Sequence, residues 1–206
     1  TANTPASEQK KALVECVWDV TLHLQAPFNT SATDPQQWGI DSPLARDHRG
    51  RIYLPGSLVH GRMLQEVDNW TAFGLFAPLS NALGDFAASG NNAPARKRLV
   101  WGDLLLDSIP DRTPSYTRVA IDAQKKKKKK HALQTIETPA EAGQNLCFTG
   151  QVRGFCESNQ KDEWRNHIER ALRLVQNFGA ERSTGWGMVL GVSVQESHSP
   201  SLPPSV

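Results

Sequence analysis

From Leu13 onward, apolar and polar residues alternate. Val14, Cys16, Trp18, Val20, Leu22 and Leu24 fall on one side, and Glu15, Asp19, Thr21, His23 and Gln25 on the other. This period of two predicts a long half-buried strand. Pro27 and the Asn-, Thr-, Ser- and Gly-rich stretch up to Gly50 end it in a loop. Ser57 is placed to cap a helix from about Leu58 to Trp70, with Val59, Met63, Leu64 and Val67 on one face. An irregular segment with Pro78, Gly84, Gly90 and Pro94 follows, then a strand from about Arg98 to Asp107. Residues 117–122 and 132–137 read as short strands of a protruding hairpin, and residues 145–155 as a further strand. Trp164, Ile168, Ala171, Leu172, Val175 and Phe178 recur at three- and four-residue spacing, which predicts an amphipathic helix. Gly179, Gly185 and Gly187 bracket a turn, after which Trp186, Met188, Leu190, Val192 and Val194 alternate as a final strand.

The order strand, helix, strand, strand, helix, strand is that of a split βαβ, ferredoxin-like α+β sandwich with the helices on one sheet face. Long insertions interrupt it at about 27–56, 72–97 and 108–144, the last carrying the hairpin. Loops of this length on a small scaffold are where binding and catalysis tend to reside. The expected domain covers 13–195. Residues 1–12 and 196–206, small, polar and proline-containing, read as flexible ends or linkers.

At 206 residues, 38% hydrophobic and 21% charged, the chain fits one globular domain with ample core. No apolar window reaches eighteen residues, so no transmembrane helix is expected, and nothing resembles a secretory signal. A chain starting at Thr1 reads as trimmed, or as cut from a longer protein. Cys16, Cys147 and Cys156 form no C-x-x-C pair, so a reducing cytoplasm is expected rather than a disulfide framework or a structural zinc site. The net charge of +2 is local in origin. Six of the ten lysines form the run Lys125 to Lys130, without which 17 basic residues face 21 acidic ones.

Two segments carry candidate chemistry. The first runs from Trp38-Gly39-Ile40-Asp41-Ser42-Pro43 through Leu54-Pro55-Gly56-Ser57 to His60-Gly61-Arg62. Free backbone N–H groups at Gly56 and Ser57, at a helix start, would favour an anion such as phosphate, and His60 and Arg62 could add charge-assisted bonds. From spacing alone, a capped helix with Arg62 solvated is the commoner outcome. The second segment, Gly179-Ala180-Glu181-Arg182-Ser183-Thr184-Gly185-Trp186-Gly187, allows close backbone approach and offers Arg182 to a phosphate. It reads equally as a glycine-terminated helix followed by a tight turn.

Taken in order, these segments resemble the RAMP superfamily of CRISPR-associated proteins, specifically the repeated backbone subunit of type III effector complexes. The resemblance spans roughly Leu13 to Val194 and rests on Ile40-Asp41-Ser42-Pro43, Leu54-Pro55-Gly56-Ser57, Gly61, Phe73-Gly74 and Trp101-Gly102-Asp103. It continues through Arg118-Val119-Ala120-Ile121-Asp122, Leu133, Glu137, Pro139, Gly143, Phe148 and the glycine-rich turn. It implies an RRM-like core, side-by-side copies of the chain or its paralogues along a guide RNA, and a hairpin thumb that displaces a base at intervals along the guide–target duplex. By the same resemblance, Asn29, Gly56, Ser57, His60, Arg62, Arg118, Arg182 and Ser183 would contact RNA. Asp41 would cut target RNA to a 2′,3′-cyclic phosphate and a 5′-hydroxyl, using the ribose 2′-OH as nucleophile. Asp41 would position the 2′-OH or the leaving group, or hold a divalent metal such as Mg²⁺ that does so. The chain departs from the family pattern at His60, where a lysine is usual, at Asn29, where a histidine is common, and at Ala123, in place of an arginine.

The lysine run falls at the expected thumb tip, where Lys125, Lys126, Lys127 and Lys128 would meet phosphates with a steep salt dependence. It reads equally as a solvated, self-repelling loop, or as a non-native stretch. His23 reads as a surface histidine, and Trp18, Trp164 and Trp186 as core anchors. Trp38 could stack on a base or pin its loop, and Asp34 and Asp47 flank Asp41 where they could assist a metal. A non-catalytic scaffold of the same fold, or a segment of a fused multi-domain effector, are the alternative readings. A guide-processing nuclease fits less well, because His23, His48 and His60 make no compelling set.

Overall fold

The structure, a computed structural model, describes residues 13–31, 39–71, 99–108, 110, 112–122 and 127–197, without the side chains of 71, 119–122 and 127–132. Strand β1 (Leu13–Gln25) is followed by β2 (Tyr53–Leu54), α1 (Gly56–Thr71), β3 (Leu99–Trp101), β4 (Leu104–Leu106), β5 (Ser115–Asp122), β6 (Lys127–Glu137), β7 (Asn145–Glu157), α2 (Lys161–Leu174) and β8 (Met188–Glu196). The main sheet runs β2-β4-β7-β1-β8, with β3 also on β7, and every pairing is antiparallel. Counting β3 and β4 as one interrupted core strand gives the ferredoxin-like order, so the expected α+β βαββαβ core is present. The hairpin β5–β6 stands as a separate two-stranded sheet.

The alternation in β1 does what it predicts. Cys16, Trp18, Val20, Leu22 and Leu24 are all at most 3% exposed, and β1 pairs with β7 in unbroken register from Leu13↔Glu157 to Gln25↔Asn145. The α1 face of Val59, Met63, Leu64 and Val67 is buried against this sheet, as is the α2 face of Trp164, Ile168, Ala171 and Leu172. Trp18 stacks on Trp164 with centroids 6.5 Å apart, and Phe28 packs on Phe148 at 5.0 Å, so the sheet and both flanking layers share one core. Cys16 and Cys156 lie side by side inside it as free thiols, their sulfurs 2.9 Å apart.

Several boundaries differ from expectation. The strand expected over 98–107 is broken at Gly102-Asp103, because Asp103 turns away to accept a hydrogen bond from the Gly56 N–H. Helix α2 ends at Leu174, and Val175 and Phe178 are buried in the extended segment after it. In β8 a register shift opposite His23 and Leu24 leaves Met188 41% and Leu190 50% exposed, so neither is core. Trp186 is also no core anchor and meets the hairpin ring of Tyr116 edge-on at 5.5 Å. Strand β8 takes in Glu196, which pairs with Lys161, and the Ser197 N–H donates to Val17 O. Residues 1–12 and 198–206, Asp34, Trp38, Phe73-Gly74, Ala123, Lys125 and Lys126 lie outside the described residues. Lys127 and Lys128 belong to β6 by their backbone. Among the described residues, no helix is long and apolar enough to cross a membrane.

Candidate nucleic-acid interface

Three segments distant in sequence meet beyond the end of β1. The glycine-rich turn folds back on the loop leaving β1: Ala180 N–H donates to Asn29 O at 2.7 Å, and Gly187 N–H to Pro27 O at 2.8 Å. Gly179 has φ +86°, and a Cβ there would sit 2.5 Å from Asn29 O, so only glycine fits both the conformation and the approach. The second segment is the Asp41 loop. Asp41 N–H donates to Thr135 O at 2.9 Å, Thr135 N–H returns a 2.6 Å bond to Asp41 Oδ2, and Ser42 bridges to Ile136 as an added parallel rung. The third is the hairpin, whose strand β6 supplies those partners.

Asn29 joins all three. It is fully buried: its Nδ2 donates to Ser42 O at 3.1 Å and Glu137 O at 2.8 Å, Ser31 donates to its Oδ1, and its own carbonyl takes the Ala180 N–H. A side chain so engaged has no face left for RNA, which corrects the expectation that Asn29 touches it. Two further expectations change for similar reasons. His60 lies on α1 at 8% exposure. The Gly56 N–H is not free for phosphate, because Asp103 Oδ1 accepts it at 2.9 Å. An anion there would also face that carboxylate. Asp103, not Ser57, caps α1, and Ser57 lies exposed in the first helical turn. Gly56 is needed for another reason: a Cβ would stand 2.5 Å from Gly102 O.

The cationic residues gather elsewhere. Arg62, Arg182 and Ser183 line a cleft of about 740 Å³ between α1 and the glycine-rich turn, with Asn177 and Glu181. Burial and then the nearby Arg182 charge pull the Arg62 guanidinium below its usual value, against the opposing pull of Glu66. Glu66 lies 3.4 Å from Arg62 Nη2, Gln65 contacts Nη1, and the buried Nε has no hydrogen-bond partner. Arg62 and Arg182 thus bring two guanidinium groups to one cleft, which the carboxylates of Glu66 and Glu181 also line. Arg118 on β5 instead pairs with Glu181, a non-glycine residue at φ +57°, so the hairpin is clamped to the turn by this ion pair and by Tyr116 on Trp186.

Asp41 is exposed at the hairpin base. Asp47 is not its helper. Although some burial works against its ionisation, N–H groups of Arg51 and Arg49, the Arg51 side chain and its charge hold the Asp47 carboxyl at about 2, within a local turn. Among the described residues, no three His, Cys, Asp or Glu side chains group to hold a metal.

Sequence reasoning gave Glu137 no role beyond the family resemblance. Its carboxylate is 3% exposed and accepts from Leu44 N–H at 2.8 Å, Thr113 Oγ1 at 2.6 Å and Arg46 Nη2 at 2.5 Å. All three partners are remote in sequence, so no local pattern signals it. No protein-family model and no curated protein matches the chain.

Proposed function

We propose that the chain is a guide-RNA-binding backbone subunit of a type III CRISPR effector complex of the RAMP superfamily, and that it cuts target RNA with Asp41. The observation that supports the binding part is that Arg62 and Arg182 line one cleft, where a phosphate would meet both guanidinium groups. The glycine-rich turn that builds this cleft is tied through Asn29 to the Asp41 loop and the hairpin, so a bound strand and a cutting group would share one rigid frame. In this reading the partners are guide RNA, target RNA and further copies or paralogues of the chain, in the cytoplasm.

The chemistry assigned to Asp41 is internal transesterification. Thr135 N–H fixes Oδ2, and Oδ1 accepts the proton of a ribose 2′-OH. The 2′-oxygen then attacks the adjacent phosphorus, the 5′-oxygen leaves and takes a proton from water, and the products are a 2′,3′-cyclic phosphate and a 5′-hydroxyl. A scaffold that binds RNA without cutting is the second reading. It is favoured by the same Asp41–Thr135 bond, which gives the carboxylate a structural task.

The test is target-RNA cleavage by the assembled guide complex, wild type beside Asp41→Ala, with and without a chelator. Regularly spaced products that vanish in the variant at unchanged RNA affinity support cutting by Asp41, and chelator sensitivity adds a metal. Tight binding without cleavage by the wild type leaves the scaffold, and an equal fall of binding and cleavage in the variant makes Asp41 structural.

A further inference from the structure

We propose that Glu137 is a positioning residue, whose buried carboxylate sets the place of Asp41 at the hairpin base. The inference rests on the reading of Asp41 given above for its catalytic consequence, but not for its geometric part.

A carboxylate taken out of water is costly unless it is paired with a cation and both oxygens are hydrogen-bonded. Glu137 meets that condition with partners from three directions. Arg46 Nη2 and Thr113 Oγ1 share Oε1, and Leu44 N–H binds Oε2. Leu44 and Arg46 belong to the segment just after Asp41, and Thr113 precedes β5, so one carboxylate fixes both the Asp41 loop and the entry to the hairpin. The backbone of Glu137 adds to this. Its N–H donates to Ser42 O at 3.0 Å, and its carbonyl accepts from Asn29.

Glu137 and Thr135 are two residues apart on one strand. Thr135 grips Asp41 through both backbone groups, and Glu137 grips Ser42, Leu44 and Arg46. The loop is thereby held over six residues, with Asp41 at its exposed end. Releasing the buried end would free Asp41 to shift along β6, and a shift of about 1 Å in a reacting group can cost on the order of 100-fold in rate.

Glu137→Gln keeps the volume but replaces one oxygen by an NH₂, which must face either the Leu44 N–H or the Arg46 and Thr113 donors. Three readouts on the full chain decide the matter: hydrogen exchange of the Thr135 amide, single-turnover cleavage at saturating RNA in the guide complex, and RNA affinity. The expected result is loss of Thr135 protection while core amides such as Val20 and Leu22 keep theirs. Cleavage should fall on the order of 100-fold, with affinity unchanged. A general structural role would instead lower core protection and affinity together. Thr113→Val, which removes one donor at equal volume, should show the same pattern more weakly and serves if Glu137→Gln does not fold. Retained Thr135 protection overturns the proposal whether or not the wild type cuts RNA. Lost protection with undiminished cleavage overturns it as well. Absence of cleavage by the wild type overturns the Asp41 reading alone, and the amide then decides the placement.

Discussion

Asn29 Nδ2 lies 2.8 Å from the Glu137 carbonyl, across 108 residues of sequence. With its second bond to Ser42 O, this one amide joins the exit of β1 to the Asp41 loop and the hairpin. Truncation would take the Asn29 donor from the buried Glu137 carbonyl, while Ser42 O keeps the Glu137 N–H. Asn29→Ala should therefore destabilise the fold by about 1–3 kcal/mol in urea unfolding, and leave the salt dependence of RNA binding as it was. A variant of wild-type stability with a weaker salt slope would return Asn29 to the RNA.

Arg182 lines the same cleft as Arg62 and, among the described residues, makes no ion pair, so its charge can neutralise a phosphate. Plotting log affinity for single-stranded RNA against log salt, Arg182→Ala should reduce the magnitude of the slope by about one unit. An unchanged slope would remove Arg182 from the interface.

Asp47 gives the fold a pH dependence of known sign. Its folded value, about 2, lies below the ordinary 3.8, so its stabilising contribution is full above about pH 4 and is lost as pH falls through 2. Asp47→Asn should flatten the stability curve in that window and leave the curve near neutrality parallel to the wild type. Coincident curves from pH 4 to 2 would contradict the turn's role.

The surroundings of the three cysteines work against nucleophilic chemistry: Cys16 and Cys156 are buried and Cys147 is half-buried. Burial, followed by the neighbouring Cys16, pushes Cys156 to about 12, and burial, followed by the Asp107 hydrogen bond and charge, pushes Cys147 to about 11. Native protein should resist alkylation by iodoacetamide, and denatured protein should take up three equivalents. Rapid labelling of one thiol in the native state would contradict this environment.

The elements legible in the sequence were those whose signal is local. The two-residue period of β1, the hairpin around the lysine run and the glycine-rich turn all follow from neighbours along the chain. Features set by distant partners were not legible. Ser57 reads as the cap of α1 until Asp103 arrives from the break between β3 and β4 to take the Gly56 N–H. Asn29 reads as a ligand residue because three of its partners, Ser42, Glu137 and Ala180, come from segments 13 to 151 residues away. Met188 and Leu190 read as core because a bulge, which reverses the faces of a strand, leaves no mark in the alternation. At the candidate site, Arg62 and Arg182 were each visible as a cation beside a turn, but their sharing of one cleft depends on how α1 crosses the sheet.

The proposed RNA path runs through the Arg62–Arg182 cleft rather than over the open sheet face, where RRM-like folds can also take nucleic acid. That face offers its own aromatic and cation, with Phe155 52% exposed two residues from Arg153 on β7 and Val100 opposite Arg153. Photo-crosslinking of thiouridine-substituted guide RNA to the full chain, with peptide mapping, separates the two directly. Crosslinks concentrated at residues 179–187, Tyr116 and the first turns of α1 are the predicted result. Crosslinks concentrated at Val100, Arg153 and Phe155, with the glycine-rich turn unlabelled, would contradict it.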